Sequence, residues 1–307
     1  MLKGLSITPP ILGRISIGKV VERSGKRLPE KDDQFTITSQ IQHQNGWLPH
    51  PVDEGFRQTQ GGKLRSIPIR LLFNDPDLNF RADYSLFDRT TGRPLCVGNG
   101  ETAKGVTTEG MKEYPCPSPA ACELGRKGGC KPYGRLNVRI GDEDPLGSFI
   151  FRTTGFNSIR TLAARLQYFR AISGNRLSCL PLELRLRGKS TRQSHGTPIY
   201  YVDVTVRTGV SLEEALVEAK RIEEQRQAAG FDQEALELSA RQGLANGAFE
   251  ESDEEGGAVV EEFFPATSGE GDTVAAEGAS GTATVPDSLA EKLAVKAHNL
   301  GLVERQA

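Results

Sequence analysis

Four cysteines fall within one short stretch of the chain. Cys96, Cys116, Cys122 and Cys130 are spaced C-x19-C-x5-C-x7-C. Thiolates are soft ligands, and four of them close a tetrahedral shell around a divalent ion such as zinc. The surrounding residues 96–134 are poor in aliphatic side chains and rich in Gly and Pro, so they cannot build a conventional core. Metal–sulfur bonding would supply the missing folding energy. Cys96-Val97-Gly98-Asn99-Gly100 reads as a knuckle turn, and Cys116-Pro117 and Cys130-Lys131-Pro132 stiffen the backbone beside their sulfurs. A closed four-thiolate shell leaves no position for a catalytic water, so the expected role of the zinc is structural. The spacing lacks the C-x2-C pairs of common zinc ribbons. An iron–sulfur cluster, or cysteines without a metal, therefore stay as alternatives. Cys179 lies among Leu177, Leu180 and Leu182 and reads as a buried structural thiol.

Other chemistry is thin. G-x-S-x-G, the P-loop and H-E-x-x-H are all missing from the sequence, so no enzyme site can be assembled. His43, His50, His195 and His298 show no triad or ligand spacing and read as loop or surface histidines. Asp142-Glu143-Asp144 reads as a solvated turn rather than a cation site. The basic residues are more suggestive. Arg126, Lys127, Lys131 and Arg135 crowd the cysteine segment, and Arg185, Arg187, Lys189 and Arg192 form a second group. Such groups suit phosphates or an acidic partner surface. The bland alternatives are solvated faces, or a surface for the protein's own acidic tail.

That tail emerges when charge is counted along the chain. The 307 residues carry a net charge of −2, which is a cancellation. Residues 1–210 hold an excess of 12 positive charges and residues 211–307 an excess of 14 negative ones. The asymmetry points to nucleic acid or a charged partner. No apolar run approaches the roughly 20 residues of a membrane span, and the N-terminus lacks a signal-peptide pattern. A protein of the cell interior, with reduced cysteines and no membrane partner, is expected.

Elements able to hold the cysteines follow from periodicity. Alternation and short apolar runs predict strands at 15–21, 35–38, 67–73, 78–87, 135–140, 148–152, 181–187 and 198–206. Pro68 confines its strand to an edge or a start. The stretch 42–60 reads as a loop. The clearest helix runs from Ser158 to Ile172, with Ile159, Leu162, Ala163, Leu166, Phe169 and Ile172 on one face and Asn157 or Ser158 as cap. Ser211 and Glu214 form a capping box for a second helix with a narrow apolar stripe, expected to protrude.

The expected class is α+β: a mixed, mostly antiparallel sheet with one packed helix and a four-cysteine insertion. The expected organisation is a basic body at 1–208 containing the cysteine module at 93–135, a helical segment at 211–243, a disordered acidic linker at 244–286 and a short terminal helix at 287–303.

Three segments carry a family resemblance. They are Arg93-Pro94-Leu95-Cys96-Val97-Gly98-Asn99-Gly100, the run from Cys116 to Lys131-Pro132-Tyr133-Gly134-Arg135-Leu136-Asn137-Val138, and Thr154-Gly155-Phe156-Asn157-Ser158-Ile159 with the helix that follows. Over roughly residues 5–208 the chain resembles the recombination directionality factors of phages that use large serine integrases. Relatives often carry only the label hydrolase or metal-binding protein. The resemblance implies a non-enzymatic regulator that binds its integrase and favours excision over integration, with Cys96, Cys116, Cys122 and Cys130 holding the zinc module. The competing expectation is a zinc-stabilised DNA-binding accessory protein of a mobile element.

Overall fold

A computed structural model describes residues 10–23, 26–43, 46–142, 147–190, 198–244 and 253–264. In chain order the strands and helices are β1 (Ile11–Arg23), β2 (Lys26–His43), β3 (Gly46–Pro49), α1 (Pro51–Thr59), β4 (Ser66–Arg70), α2 (Pro76–Asn79), β5 (Phe80–Phe87), β6 (Pro94–Gly98), β7 (Thr102–Thr107) and β8 (Gly110–Pro115). They continue with α3 (Ser118–Ala121), α4 (Glu123–Gly128), β9 (Lys131–Ile140), β10 (Ser148–Thr153), α5 (Phe156–Ile172), β11 (Leu182–Lys189), β12 (Ile199–Val206), α6 (Leu212–Ala228), α7 (Gln233–Leu244) and α8 (Asp253–Phe263). The class is α+β with a mixed, mostly antiparallel sheet, as the alternation predicted. Two compact units divide the chain: a body of Met1–Ala82 and Pro132–Glu250, and a cysteine unit of Asp83–Lys131 with Glu251–Ala307.

In the body, β3, β2, β1, β10 and β9 lie side by side, and only β1 with β10 runs parallel. A second antiparallel ladder, β12–β11–β4, joins through Ile69 and Arg70 to Ile140 and Arg139 of β9. β4 is therefore an inner strand, which corrects the edge placement expected from Pro68. Its ladder to β9 begins one residue later, at Ile69, so the missing N–H of Pro68 leaves no ladder bond broken. The Pro68 carbonyl still accepts from Gly141 at 3.0 Å.

The core joins Phe35 and Ile37 of β2, Leu136 and Val138 of β9, Leu182 and Leu184 of β11, and Val202 and Val204 of β12 with the inner face of α5. That face is Ile159, Leu162, Leu166 and Phe169, as the periodicity indicated, whereas Ala163 is exposed. The cap differs from expectation. Gly155 occupies the N-cap, and Ser158 Oγ instead accepts from Val202 N at 3.0 Å, tying the helix to β12.

The described residues within 42–60 are not a loop. β3 pairs with β2, and α1 follows with Pro51 in its first turn. Proline at the start of a helix loses no intrahelical bond, and Val52 and Phe56 pack on the core one turn apart. His50 is the N-cap: its Nδ1 accepts from Val52 N at 3.3 Å, and its ring stands edge-on to Phe149. Burial lowers the His50 pKa below its ordinary 6.5. The unfolded chain then takes up a proton at higher pH than the folded chain. Stability is therefore full above about pH 6.5 and falls as pH drops below it. His50→Asn keeps an N-cap acceptor and should flatten this slope in urea midpoints measured from pH 7 to 5. His50→Ala should lose about 1 kcal/mol at neutral pH. An unchanged slope in His50→Asn would assign the pH dependence to other groups.

The Ser211–Glu214 capping box is present, but α6 does not protrude. Ala215 and Ala219 are fully buried, and Leu212, Leu216 and Ile222 pack against the core. Small side chains one turn apart let the helix backbone approach closely, so a narrow stripe suffices. The helical segment breaks at Gly230 (φ +80°) into α6 and α7. Glu237 of α7 is buried and accepts from Asn74 N at 2.6 Å. Within the segment expected to be disordered, residues 253–263 form α8, because Val259, Val260 and Phe264 find burial. Residues 245–252 and 265–286 and the expected terminal helix 287–303 lie outside the described residues. So do Glu143, Asp144, Arg192, His195 and His298. Among the described residues no helix is long and apolar enough to cross a membrane.

Candidate functional site

The cysteine unit is an antiparallel meander carrying two short helices. β6 pairs with the end of β5 through Leu86 and Cys96, with β7 through Cys96 and Gly105, and β7 pairs with β8 along its length. Cys96, Val97 and Gly98 lie on β6, so the expected knuckle is displaced. The turn comes at Asn99, whose Oδ1 accepts from Glu101 N and Thr102 N at 2.8 Å. Cys116 follows β8 and is fixed by its N–H to Glu101 O at 2.7 Å. Cys122 is the N-cap of α4, where its Sγ accepts from Gly125 N at 3.3 Å. Cys130 follows the left-handed cap at Gly129, with its N–H on Gly125 O at 2.9 Å.

Cys96, Cys116, Cys122 and Cys130 all line one cavity of about 20 Å³, together with Tyr84, Leu86, Ala103, Tyr114 and Leu124. That volume suits one water-sized or ion-sized occupant. As the side chains stand, no three His, Cys, Asp or Glu groups among the described residues converge to hold a metal ion. None of the five cysteines is in a disulfide, and Cys179 is buried in the body as expected.

The surroundings favour sulfur as an acceptor. Tyr114 donates its hydroxyl to Cys96 Sγ at 3.1 Å. Burial, then the bond to Cys96 and the thiols nearby, raises the Tyr114 pKa well above the ordinary phenol value, so the hydroxyl keeps its proton. A Cβ at Gly105 would overlap the Tyr114 ring, and one at Gly98 would stand 2.9 Å from Cys116 Sγ. Those glycines admit the tyrosine and the sulfur. Neither Tyr114 nor Gly105 was singled out in the sequence. Their place opposite the cysteines depends on strand register.

The basic residues are dispersed. Arg126 and Lys127 close α4, where Lys127 pairs with Glu123 at 2.6 Å on a fully exposed face. Lys131 sits 4.6 Å from the Phe264 ring centroid, and burial, with the charge of Arg89, lowers its pKa. Arg135 belongs to the body, 6.0 Å from the ring of Tyr133. In the second group, Arg185 binds the buried carboxylate of Glu183 (Nε to Oε1 2.8 Å) and Thr208 Oγ1 (2.6 Å). Arg187 reaches the buried Asp203 (3.3 Å), which also accepts from Arg165 of α5 (3.0 Å). Lys189 donates to Asn157 Oδ1 at 2.8 Å beside Tyr201. Three of the four candidate cations at 185–192 thus serve bonds within the body. Asp203 stands opposite Arg185 on paired strands, a register that only the fold sets, so the sequence alone gave no sign of these pairings.

With this geometry in view, the comparison with known families decides the matter. The chain matches the recombination directionality factor-like family, Gp3-like, over residues 12–207. It belongs to that family. The match takes in most of the body and all four clustered cysteines, and it ends before α6, α7 and α8. No curated protein and no solved structure matches the chain. Membership in the Gp3-like family carries a role in recombination, as a regulatory accessory protein that works with a recombinase.

Proposed function

We propose that the protein is the directionality factor of a large serine integrase, binding the integrase and favouring excision over integration. The observation that carries this is the family match across 196 consecutive positions, residues 12–207. The mechanism needs no catalytic group. A regulator that binds one assembled state of the integrase better than another shifts their populations by its differential affinity alone. Reversing a 1:99 balance takes roughly 10⁴-fold preference. That is within reach of a protein interface. Arg185 and Arg187 hold Glu183 and Asp203, leaving fewer of their donors for phosphates, which supports a protein partner over direct DNA contact.

The reading includes one structural zinc ion held by Cys96, Cys116, Cys122 and Cys130. What supports it is the donor set: four thiols around one cavity, with an O–H and an N–H already directed at two of the sulfurs. When bound, the ion would cross-link β6, the end of β8 and both ends of α4.

The test is recombination in vitro with the purified cognate integrase. Adding the protein should allow recombination between the hybrid sites and suppress it between the original pair. An integrase whose site preference is the same with and without the protein overturns the proposal.

A further inference from the structure

α8 belongs to the same compact unit as the cysteines, although its sequence lies far beyond the family match. Its buried positions, Gly256, Val259, Val260 and Phe264, recur at the spacing of one helical face. Val259 is 0% and Phe264 6% exposed. Phe264 lies 4.7 Å, centroid to centroid, from Phe87 at the end of β5, and Lys131 covers its ring. The closest approach is backbone to backbone. A Cβ on Gly92 would stand 2.5 Å from Gly256 C and Gly257 N, and a Cβ on Gly256 would overlap the Gly92 carbonyl. Gly257, one residue on, faces open space.

The two sides of this contact differ in what holds them. The Gly92 side is a self-supporting turn. Gly92 N binds Asp88 O at 2.9 Å, Asp88 N binds Arg93 O at 2.8 Å, and the Asp88 carboxylate accepts from Thr90 N and Thr91 N at 2.8 Å. The α8 side is an 11-residue helix with two adjacent glycines, too short and too glycine-rich to hold itself in water. Its helical state depends on docking, which makes the contact a coupled folding and binding event. The sequence of the segment is acidic (Asp253, Glu254, Glu255, Glu261, Glu262), and the cation recorded at its contact is Lys131, over the Phe264 ring.

We propose that Phe87, Gly92 and Lys131 form a helix-docking surface on the cysteine unit, and that α8 is its tethered, releasable occupant. An acidic helix with a glycine at the Gly256 position, followed by apolar residues three, four and eight positions on, fits it. The surface is open to such a partner only while α8 is off. This stands apart from the integrase reading and does not depend on it.

Two neighbouring glycines supply the test. Gly256→Ala and Gly257→Ala raise intrinsic helix propensity alike, since alanine is the better helix former. Only the first places a methyl group against the Gly92 carbonyl. A labelled peptide of residues 251–266 is titrated into the full-length protein, and into full-length protein carrying Gly256→Ala, whose own α8 is displaced. The wild-type and Gly257→Ala peptides should bind the Gly256→Ala protein at least tenfold more tightly than the Gly256→Ala peptide does. The wild-type protein, already occupied, should bind the wild-type peptide at least tenfold more weakly than the Gly256→Ala protein does. Equal binding of the Gly256→Ala and Gly257→Ala peptides overturns the docking site. Equal peptide uptake by the two proteins overturns the occupancy by α8.

Discussion

With the proposed zinc as the staple of the cysteine unit, Cys116→Ser is expected to abolish zinc binding and unfold residues 83–131 while the body stays folded. The reason is the poverty of the local core. Apart from the contact between Phe87 and α8, the buried apolar side chains around the cysteines are Leu86, Ala103 and Tyr114, with Cys96, Cys116 and Leu124 packed against the last two. A core that small cannot offset the ordering entropy of the segment without a staple. Apparent zinc affinities of structural sites are of the order of 10–16 kcal/mol, and in such units that binding energy is folding energy. Cys116 also anchors the exit of β8 through its bond to Glu101 O. A serine keeps the backbone bond but offers a hard, protonated oxygen where a thiolate is needed. Metal analysis should fall from about one zinc per chain to well under half, and limited proteolysis should move into residues 83–131. Cys179→Ser is the control. Its thiol lies in the body's core, so metal content should not change. A Cys116→Ser protein with unaltered metal content and unaltered cleavage would remove Cys116 from the ligand set.

Asn79→Ala is the largest expected loss in the body. Asn79 is fully buried, and its side chain makes four bonds to backbone. Its Oδ1 accepts from Leu72 N and Phe73 N, both at 3.0 Å, and its Nδ2 donates to Phe73 O at 2.7 Å and Asp75 O at 2.9 Å. The amide thus replaces a strand partner for the segment that follows β4. Truncation strands up to four buried polar groups, each costing about 1–3 kcal/mol when no water reaches it. Partial relaxation brings the expected total to about 3–5 kcal/mol, a large share of a domain's stability. The denaturant midpoint should drop with little change in slope. Asn79→Asp keeps both accepting bonds, loses both donated ones and sets a carboxylate against two carbonyls, so it should rescue little at neutral pH. A loss below about 1 kcal/mol for Asn79→Ala would show that solvent substitutes for the amide.

Much of the scaffold was legible because its signals are local. The buried face of α5 repeats every turn, and the alternation of Leu182, Leu184 and Leu186 needs no knowledge of the partner strand. The Ser211–Glu214 capping box is complete within four residues. Expectation and fold part where a local pattern is weak or where contact overrides it. His50 and Pro51 start a helix without a long apolar stripe behind them. α6 was expected to protrude because Leu212, Leu216, Ala219 and Ile222 make a narrow stripe, yet with Ala215 buried beside them that stripe packs against the core. α8 was expected to be disordered from composition, and composition does not register that Val259, Val260 and Phe264 align on one side.

The candidate site divides the same way. Residue type and spacing nominated Cys96, Cys116, Cys122 and Cys130, because a stretch without an apolar core needs a cross-link and four thiols are soft ligands. They did not nominate Tyr114, whose hydroxyl reaches Cys96 through the register of three strands. Nor did they foresee that Arg185 and Arg187 would serve Glu183 and Asp203. Charge can be counted from a sequence, but pairing depends on which strands become neighbours.

By itself the sequence determined the α+β class, the inner faces of the main strands and of α5, the four-cysteine set and the family likeness. Those follow from periodicity, composition and motif, each written over a few consecutive residues. The tertiary structure alone decided that β4 is an inner strand, that the four cysteines border one cavity, that Arg185 and Arg187 of β11 turn to buried carboxylates, and that α8 rests on Gly92. Each of these is a contact between residues distant along the chain. Its energy comes from burial and hydrogen bonding that exist only once the fold brings the two sides together.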